Sequence, residues 1–206
     1  MSAMRIKNGN VYNYTKKEKT AEKQEENVYA RKIFPPIKIR SEGPTFRVYD
    51  QMEVELDCKD PQYIHVWVDG GGNFGPASLG VVVVDKGTII MTFGAFLGKN
   101  LTNNIAELNA ILKGLRLVKH LWKPVRIYSD SQYAINSICG IFHGRKNKEL
   151  IDNIIEYAKQ YPVPIEFVKV QGHTNLIYNE MADGIASTLL QQGRKLKYKQ
   201  RKKKSK

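Results

Sequence analysis

The spacing of apolar and polar positions changes period several times along the chain, and each change marks an element. Residues 63–69 alternate, with Ile64, Val66 and Val68 on one face and His65, Trp67 and Asp69 on the other. A period of two predicts a half-buried strand. Leu79–Asp85 is a continuous apolar run, as in a strand buried on both faces. Lys86-Gly87 makes a turn, Thr88–Phe93 reads as the next strand, and Ala95–Asn100 continues it weakly. Such short connections predict an antiparallel meander of three strands. From Ile105 to Leu121 the period becomes helical, with Leu108, Ile111, Leu112, Leu115 and Val118 forming one stripe. Asn104 and Glu107 are spaced as a capping box, with one of the neighbouring Asn or Thr residues as N-cap. Val125–Asp130 is a fourth strand, Ser131–Cys139 and Glu149–Gln160 are short helices, and Pro164–Val170 is a fifth strand. Gln171–Asn179 reads as a loop and Glu180–Gln191 as a final helix. Three strands, a helix, a strand, helices, a strand and a helix predict a mixed α/β sheet with helices packed on it.

The flanks differ from this central part. Residues 1–60 form an N-terminal extension, polar and mixed in charge at first, read as partly disordered and carrying no known motif. Ile33-Phe-Pro-Pro-Ile37 reads as an extended connector, and Phe46–Leu56 alternates loosely enough to add an edge strand. Net charge is +13, and Arg194–Lys206 contains nine Lys or Arg and no acid, so this short tail supplies most of the excess. Residues 193–206 therefore read as a basic, disordered arm that attracts polyanions or serves as a nuclear signal. The expected organisation is an extension over 1–60, a catalytic domain over 61–192 and the basic tail over 193–206.

Cys58 and Cys139 are the sole cysteines and have no metal-ligand spacing, which argues against a disulfide framework or zinc ribbon and fits a reducing, intracellular, cytoplasmic setting. No apolar run approaches a membrane span, and Met1–Asn10 lacks a signal-peptide core.

Four acids stand out by position. Asp69 and Asp130 close two strands, while Glu107 and Asp183 are each placed in the first turn of a helix. Asp69 also runs into Gly70-Gly71-Gly72, where a backbone without Cβ atoms lets a ligand approach closely. Taken singly, each acid has a plainer reading: a turn residue at Asp130, a capping acid at Glu107, a helix-dipole charge at Asp183. Gathered together, carboxylates repel and are costly to remove from water, and divalent cations with a preference for hard oxygen ligands relieve that cost.

Four short motifs in order carry a resemblance: Asp69-Gly-Gly, Thr102-Asn-Asn-x-x-Glu107-Leu, Tyr128-Ser-Asp130-Ser-Gln, and Gly172-His173 with Asn179-Glu-x-x-Asp183. Over residues 62–192 the chain resembles type I ribonuclease H. The resemblance implies a five-stranded mixed sheet, three strands antiparallel and then two parallel, with helices on both faces. It implies an endonuclease that cuts the RNA strand of an RNA–DNA hybrid, leaving 5′-phosphate and 3′-hydroxyl ends. Asp69, Glu107, Asp130 and Asp183 match the family's four metal-binding carboxylates, for two Mg²⁺ ions with Mn²⁺ as a substitute. Sites of this kind hold the ions roughly 3.5–4 Å apart. His173 matches a mobile histidine that assists turnover. Gly70, Asn103 and Gln132 match contacts to the hybrid's sugars and bases. Thr102, Asn103 and Asn73 match a pocket for a phosphate of the DNA strand, and Asn179 and Glu180 match a stretch that places the last helix. One departure is plain: Gly140–Lys148 is short, with Arg145, Lys146 and Lys148 its only bases, where many bacterial members carry a long basic grip.

The expected partner is therefore an RNA–DNA hybrid, with no membrane. The expected state is a monomer, alone or attached to a replication or reverse-transcription assembly. Two alternatives keep the fold: a nuclease for DNA, and an inactive module that only binds nucleic acid. The Thr-Asn-Asn and Gly-His motifs favour the ribonuclease over the first, and the intact carboxylates argue against the second.

Overall fold

A computed structural model describes residues 3–7, 10–14, 45–48, 54, 57–143 and 146–204 of the chain. Seven strands are assigned: β1 (Ala3–Lys7), β2 (Asn10–Tyr14), β3 (Thr45–Val48), β4 (Ile64–Asp85), β5 (Thr88–Thr102), β6 (Val125–Ser129) and β7 (Ile165–Lys169). The helices described over their full extent are α1 (Asn103–Val118), α2 (Gln132–Ile138), α3 (Lys148–Lys159) and α4 (Ile177–Lys204), with a 3₁₀ turn at Lys119–Leu121. All strands belong to one sheet in the order β1-β2-β5-β4-β6-β7-β3.

β4 folds back on itself. A straight strand of its 22 residues would be roughly 70 Å long. Instead, a Cβ placed on Gly72 would lie 3.0 Å from the Ala77 side chain. Its first arm pairs in parallel with β6 from Ile64↔Val125 to Trp67↔Tyr128. Its second arm pairs antiparallel with β5, for example Val81↔Phe93. Counting the arms separately gives the expected five-stranded mixed sheet of β5, the two arms of β4, β6 and β7, antiparallel and then parallel. The edge strand anticipated in 46–56 is β3, parallel to β7. The β1–β2 hairpin extends the opposite edge by pairing β2 with β5, and the sequence pattern did not announce it. The rest of the expected disorder in residues 1–60, and the extended connector at 33–37, lie outside the described residues.

Two apolar layers sandwich the sheet. On one face Val66, Val68, Val81, Val83 and Phe93 pack against α1, whose predicted stripe is buried throughout, and against α2 and α3. On the other, Trp67, Val82, Tyr128 and Val168 pack under Ala182 of α4 and under Val54 and Cys58. The strand at 63–69 is thus buried on both faces and not on one, because α4 and the segment ending at residue 63 cover the side that carries His65 and Trp67. Trp67 stacks on Tyr128 at 4.3 Å between ring centroids, worth about 0.5–1.5 kcal/mol beyond its burial.

Most polar groups on that face are matched to one another, the buried Trp67 Nε1 being an exception. Arg126 bonds Asp57 through Nη1 and Glu166 through Nε (2.8 Å), and it lies over the Tyr63 ring. The Tyr128 hydroxyl donates to Asp57 and pairs with His65 Nδ1 (2.8 Å). Residues 57–63 are held against the sheet by these bonds.

Two glycines set the distances that matter for function. A Cβ on Gly70 would fall 2.3 Å from the backbone nitrogen of Glu107, and one on Gly80 would fall 2.0 Å from the carbonyl oxygen of Ala182. With hydrogen in that place, β4 lies directly against the backbones of α1 and α4. Among the described residues no helix is long and apolar enough to cross a membrane.

Candidate active site

The chain brings its four acids to one end of the sheet by four separate elements. Asp69 lies on the first arm of β4, just before Gly70. Glu107 lies on α1, held down by the Gly70 contact, and Asp183 lies on α4 beside the residue that meets Gly80. Asp130 sits between the end of β6 and Ser131, the N-cap of α2, whose hydroxyl accepts from the Ala134 N–H at 3.1 Å.

Two helix positions differ from expectation. Thr102 is the N-cap of α1, accepting from the Ile105 N–H, so Glu107 lies in the second turn, too far along to close a capping box. Its carboxylate instead accepts from Asn103 Nδ2 at 2.6 Å. α4 begins at Ile177, where Glu180 N–H bonds the Leu176 carbonyl, so Asp183 too lies in the second turn. The plainer readings of Glu107 and Asp183 as terminal helix charges therefore fail. α4 also runs on to Lys204, so the tail read as disordered is helical through that residue. Lys, Arg, Gln and Leu are good helix formers, no Pro follows, and cations suit a helix C-terminus.

A cleft of about 230 Å³ is lined by Asp69, Gly70, Asn103, Glu107, Asp130, His173 and Asp183, with Gly71, Asn179 and Glu180 completing it. Asn103 is the joint of one wall, because its Oδ1 accepts from Gly72 N–H (3.1 Å) while its Nδ2 holds Glu107. Ser187 donates to Asp183 Oδ1 at 3.1 Å. His173 adopts a left-handed backbone, φ 56°, in the loop before α4. A Cβ on Gly172 would lie 2.6 Å from an Asp130 carboxylate oxygen, so that residue must be small for Asp130 to sit where it does.

Three predicted residues lie outside this lining. Asn73 and Thr102 are register partners across β4 and β5, next to Asn103, so the three positions matched to a phosphate pocket are neighbours along the chain path. The side chain of Asn73 is not among those described. Gln132 is exposed at the start of α2. Asn179 and Glu180 reach the cleft although their sequence match spoke only of helix placement; their spacing of four and three residues before Asp183 puts all three on one helix face.

Charge within the cleft is unbalanced. Burial, followed by the charges of Asp130 and Asp183, pushes the Asp69 carboxyl up to about 7 against the opposing Gly70 N–H and His173. Burial, followed by Asp69 and Asp130, pushes Glu107 up to about 8, against Asn103 and Lys169. Hard carboxylate oxygens under mutual repulsion suit a divalent cation by donor type and by charge. Their positions are less drawn in than a bound ion requires, for among the described residues no three His, Cys, Asp or Glu side chains are close enough to hold one.

The RNase H family model matches residues 61–191. The chain belongs to the RNase H family. The ribonuclease H of Thermoanaerobacter sp. (strain X514) is 31% identical over 140 residues, covering 60% of this chain and 87% of that one. RNase H1 from the halophilic archaeon Halobacterium salinarum NRC-1 is similar in structure, with a TM-score of 0.54 at 25% identity over 63% of this chain and 98% of that one. LC11-RNase H1, solved in complex with an RNA/DNA hybrid, shares the fold with a TM-score of 0.53 at 23% identity, covering 62% of this chain and 99% of that one. The expected RNase H family, fold and enzyme class are thereby borne out.

Proposed function

We propose that this chain hydrolyses the RNA strand of RNA–DNA hybrids with the help of divalent metal ions, leaving 5′-phosphate and 3′-hydroxyl ends. The observation that carries the reading is the convergence of Asp69, Glu107, Asp130 and Asp183, from four elements, on one cleft of a family member. These four carboxylates would hold two Mg²⁺ or Mn²⁺ ions. Such ions, when bound, supply Lewis acidity and charge neutralisation for in-line displacement at a phosphodiester.

The remaining work falls to the chain's own groups. Gly70 and Gly71 line the cleft without side chains, which leaves room for an RNA backbone beside Asp69. Asn103 ties the glycine turn to Glu107, so contact with a sugar or base there also fixes a catalytic carboxylate. The positions Asn73 and Thr102 are register partners beside Asn103, which supports assigning the three to a phosphate of the DNA strand, and exposed Gln132 at the start of α2 is assigned to the hybrid. His173 lines the cleft and, as the family resemblance implies, assists turnover or product release. A 2′-hydroxyl on the cut strand is the feature by which such a site tells RNA from DNA.

Labelled RNA–DNA hybrid, RNA duplex and DNA duplex, each with Mg²⁺ or EDTA, test the reading together. Cleavage confined to the RNA of the hybrid, lost in EDTA and in Asp69→Asn, is expected. Equal cutting of DNA duplex, or an Asp69→Asn rate within tenfold of the parent, refutes it.

A further inference from the structure

The basic C-terminal segment is built as part of the helix that carries Asp183. Eight of the eleven residues from Arg194 to Lys204 are Lys or Arg, and the helix runs without interruption from Ile177 through them. Its path beside the cleft is fixed by close contacts. Leu190 lies 3.6 Å from the Cβ position of Gly71, which lines the cleft two residues after Asp69. At Gly193 a Cβ would fall 2.4 Å from the Phe96 ring, so the helix still lies close against β5 at that residue. From Gly193 outward the helix continues an element packed on the sheet through Ala182, Ala186 and Leu190; of its two glycines, Gly184 faces open space and Gly193 meets the Phe96 ring.

We infer that residues 194–204 form a rigid cationic arm that lies along the phosphates of the bound hybrid, away from the cut. This rests on the function proposed above and deepens it by adding a second contact for the same substrate. The charge is complementary to a duplex backbone, and the short Gly140–Lys148 segment adds only Arg145, Lys146 and Lys148. From Asp183 to Lys204 the helix rises about 30 Å, which is roughly nine base pairs of duplex. If one side of the arm faces the duplex, about four of its cations meet phosphates, and the slope of log affinity against log salt carries a share of about 3–4 from the arm. A phosphate-tracking arm adds affinity without base preference, so DNA duplex gains from it as the hybrid does.

Three proteins separate the possibilities: the full chain, a truncation after Gly193, and Leu196→Pro in the full chain, which keeps every charge but breaks the helix. Their melting temperatures verify that the domain is intact in each. Binding is read by fluorescence anisotropy in EDTA over a salt series, on a hybrid of about 20 base pairs and one of about 8, lengths set by the reach of the arm. Truncation is expected to weaken binding of the long hybrid at least tenfold near 0.1 M salt and to lower the salt slope by about 3–4, with little change on the short one. Leu196→Pro is expected to lose most of the same gain. Equal slopes for full chain and truncation overturn the inference, and so does full-chain affinity in Leu196→Pro, which would mean a charged tether and no rigid arm. Preferential retention of the full chain by anionic vesicles over hybrid at the same salt overturns it as well. A full chain that binds through the arm yet cuts no hybrid in Mg²⁺ would leave this inference standing and remove the proposed function instead.

Discussion

Replacing Asp130 by Asn should stabilise the metal-free protein at alkaline pH while removing activity. Asp130 contributes repulsion to both Asp69 and Glu107, second to burial in the first case and third in the second. The sign follows from linkage. Both groups are raised, from 3.8 to about 7 and from 4.5 to about 8, so the folded state holds protons that the unfolded chain has released. The associated stability is fully present below about pH 4 and is lost as pH climbs through about 7–8. If the Asp130 charge changes each proton affinity about tenfold, it costs about 1.4 kcal/mol per group at pH 8.5. Counting the shared repulsion once and allowing for solvent at the cleft mouth leaves about 1–2 kcal/mol. For a chain of this size that is a rise in Tm of about 3–6 °C for Asp130→Asn in EDTA at pH 8.5. At pH 5.5 Asp69 and Glu107 are neutral, and the rise should shrink to within about 1 °C. Differential scanning fluorimetry at both pH values in EDTA measures it. A Tm shift of the same size at both pH values, or a fall at pH 8.5, would show that the four acids do not repel one another as the structure places them.

Other outcomes follow from the same geometry. Millimolar Mg²⁺ should raise the melting temperature of the wild-type chain, more at pH 8.5 than at 5.5, because its carboxylates must release protons to bind; a pH-independent rise rejects the site. Gly70→Ala should cost about 3 kcal/mol in urea unfolding, since the added methyl meets the Glu107 backbone at 2.3 Å and not a yielding side chain, and kcat should fall with it. Unchanged stability would mean β4 and α1 are not in backbone contact. Asp57→Ala should cost about 3 kcal/mol with cleavage per folded molecule preserved, because it strips a partner from buried Arg126 and Tyr128, none of which lines the cleft; a specific loss of kcat would tie that cluster to catalysis.

The parts of this protein that were legible in its sequence are those with a local signature. The α1 stripe, the meander around Lys86-Gly87 and the four acids each rest on spacing within a dozen residues, and a family resemblance binds the acids into one site. The second buried face of the opening strand was not legible. His65 and Trp67 look like a solvent-facing alternation until Asp57, Arg126 and Tyr128 supply partners for the polar edge, the last of them 63 positions from His65. Helix starts were misplaced by a few residues at Asp183, because nothing local distinguishes Ile177 as the first helical residue from the loop that precedes it.

The glycines carry the less obvious half of the site. A sequence presents Gly70 as the start of a pliable turn after Asp69, and Gly80 as a gap in an apolar strand. In three dimensions both are places where a strand backbone touches a helix backbone, one next to Glu107 and the other next to Asp183. Acids on α1 and α4 can share a cleft with Asp69 only if both helices approach the same strand closer than any side chain allows. The repulsion that results, added to burial, lifts two carboxyl groups into the neutral range. Mutually repelling carboxylates brought together in this way are costly to keep charged away from water, and a divalent cation relieves that cost. On the proposed function, relief of that repulsion by a divalent ion would favour its binding, and its removal should register in stability as well as in turnover.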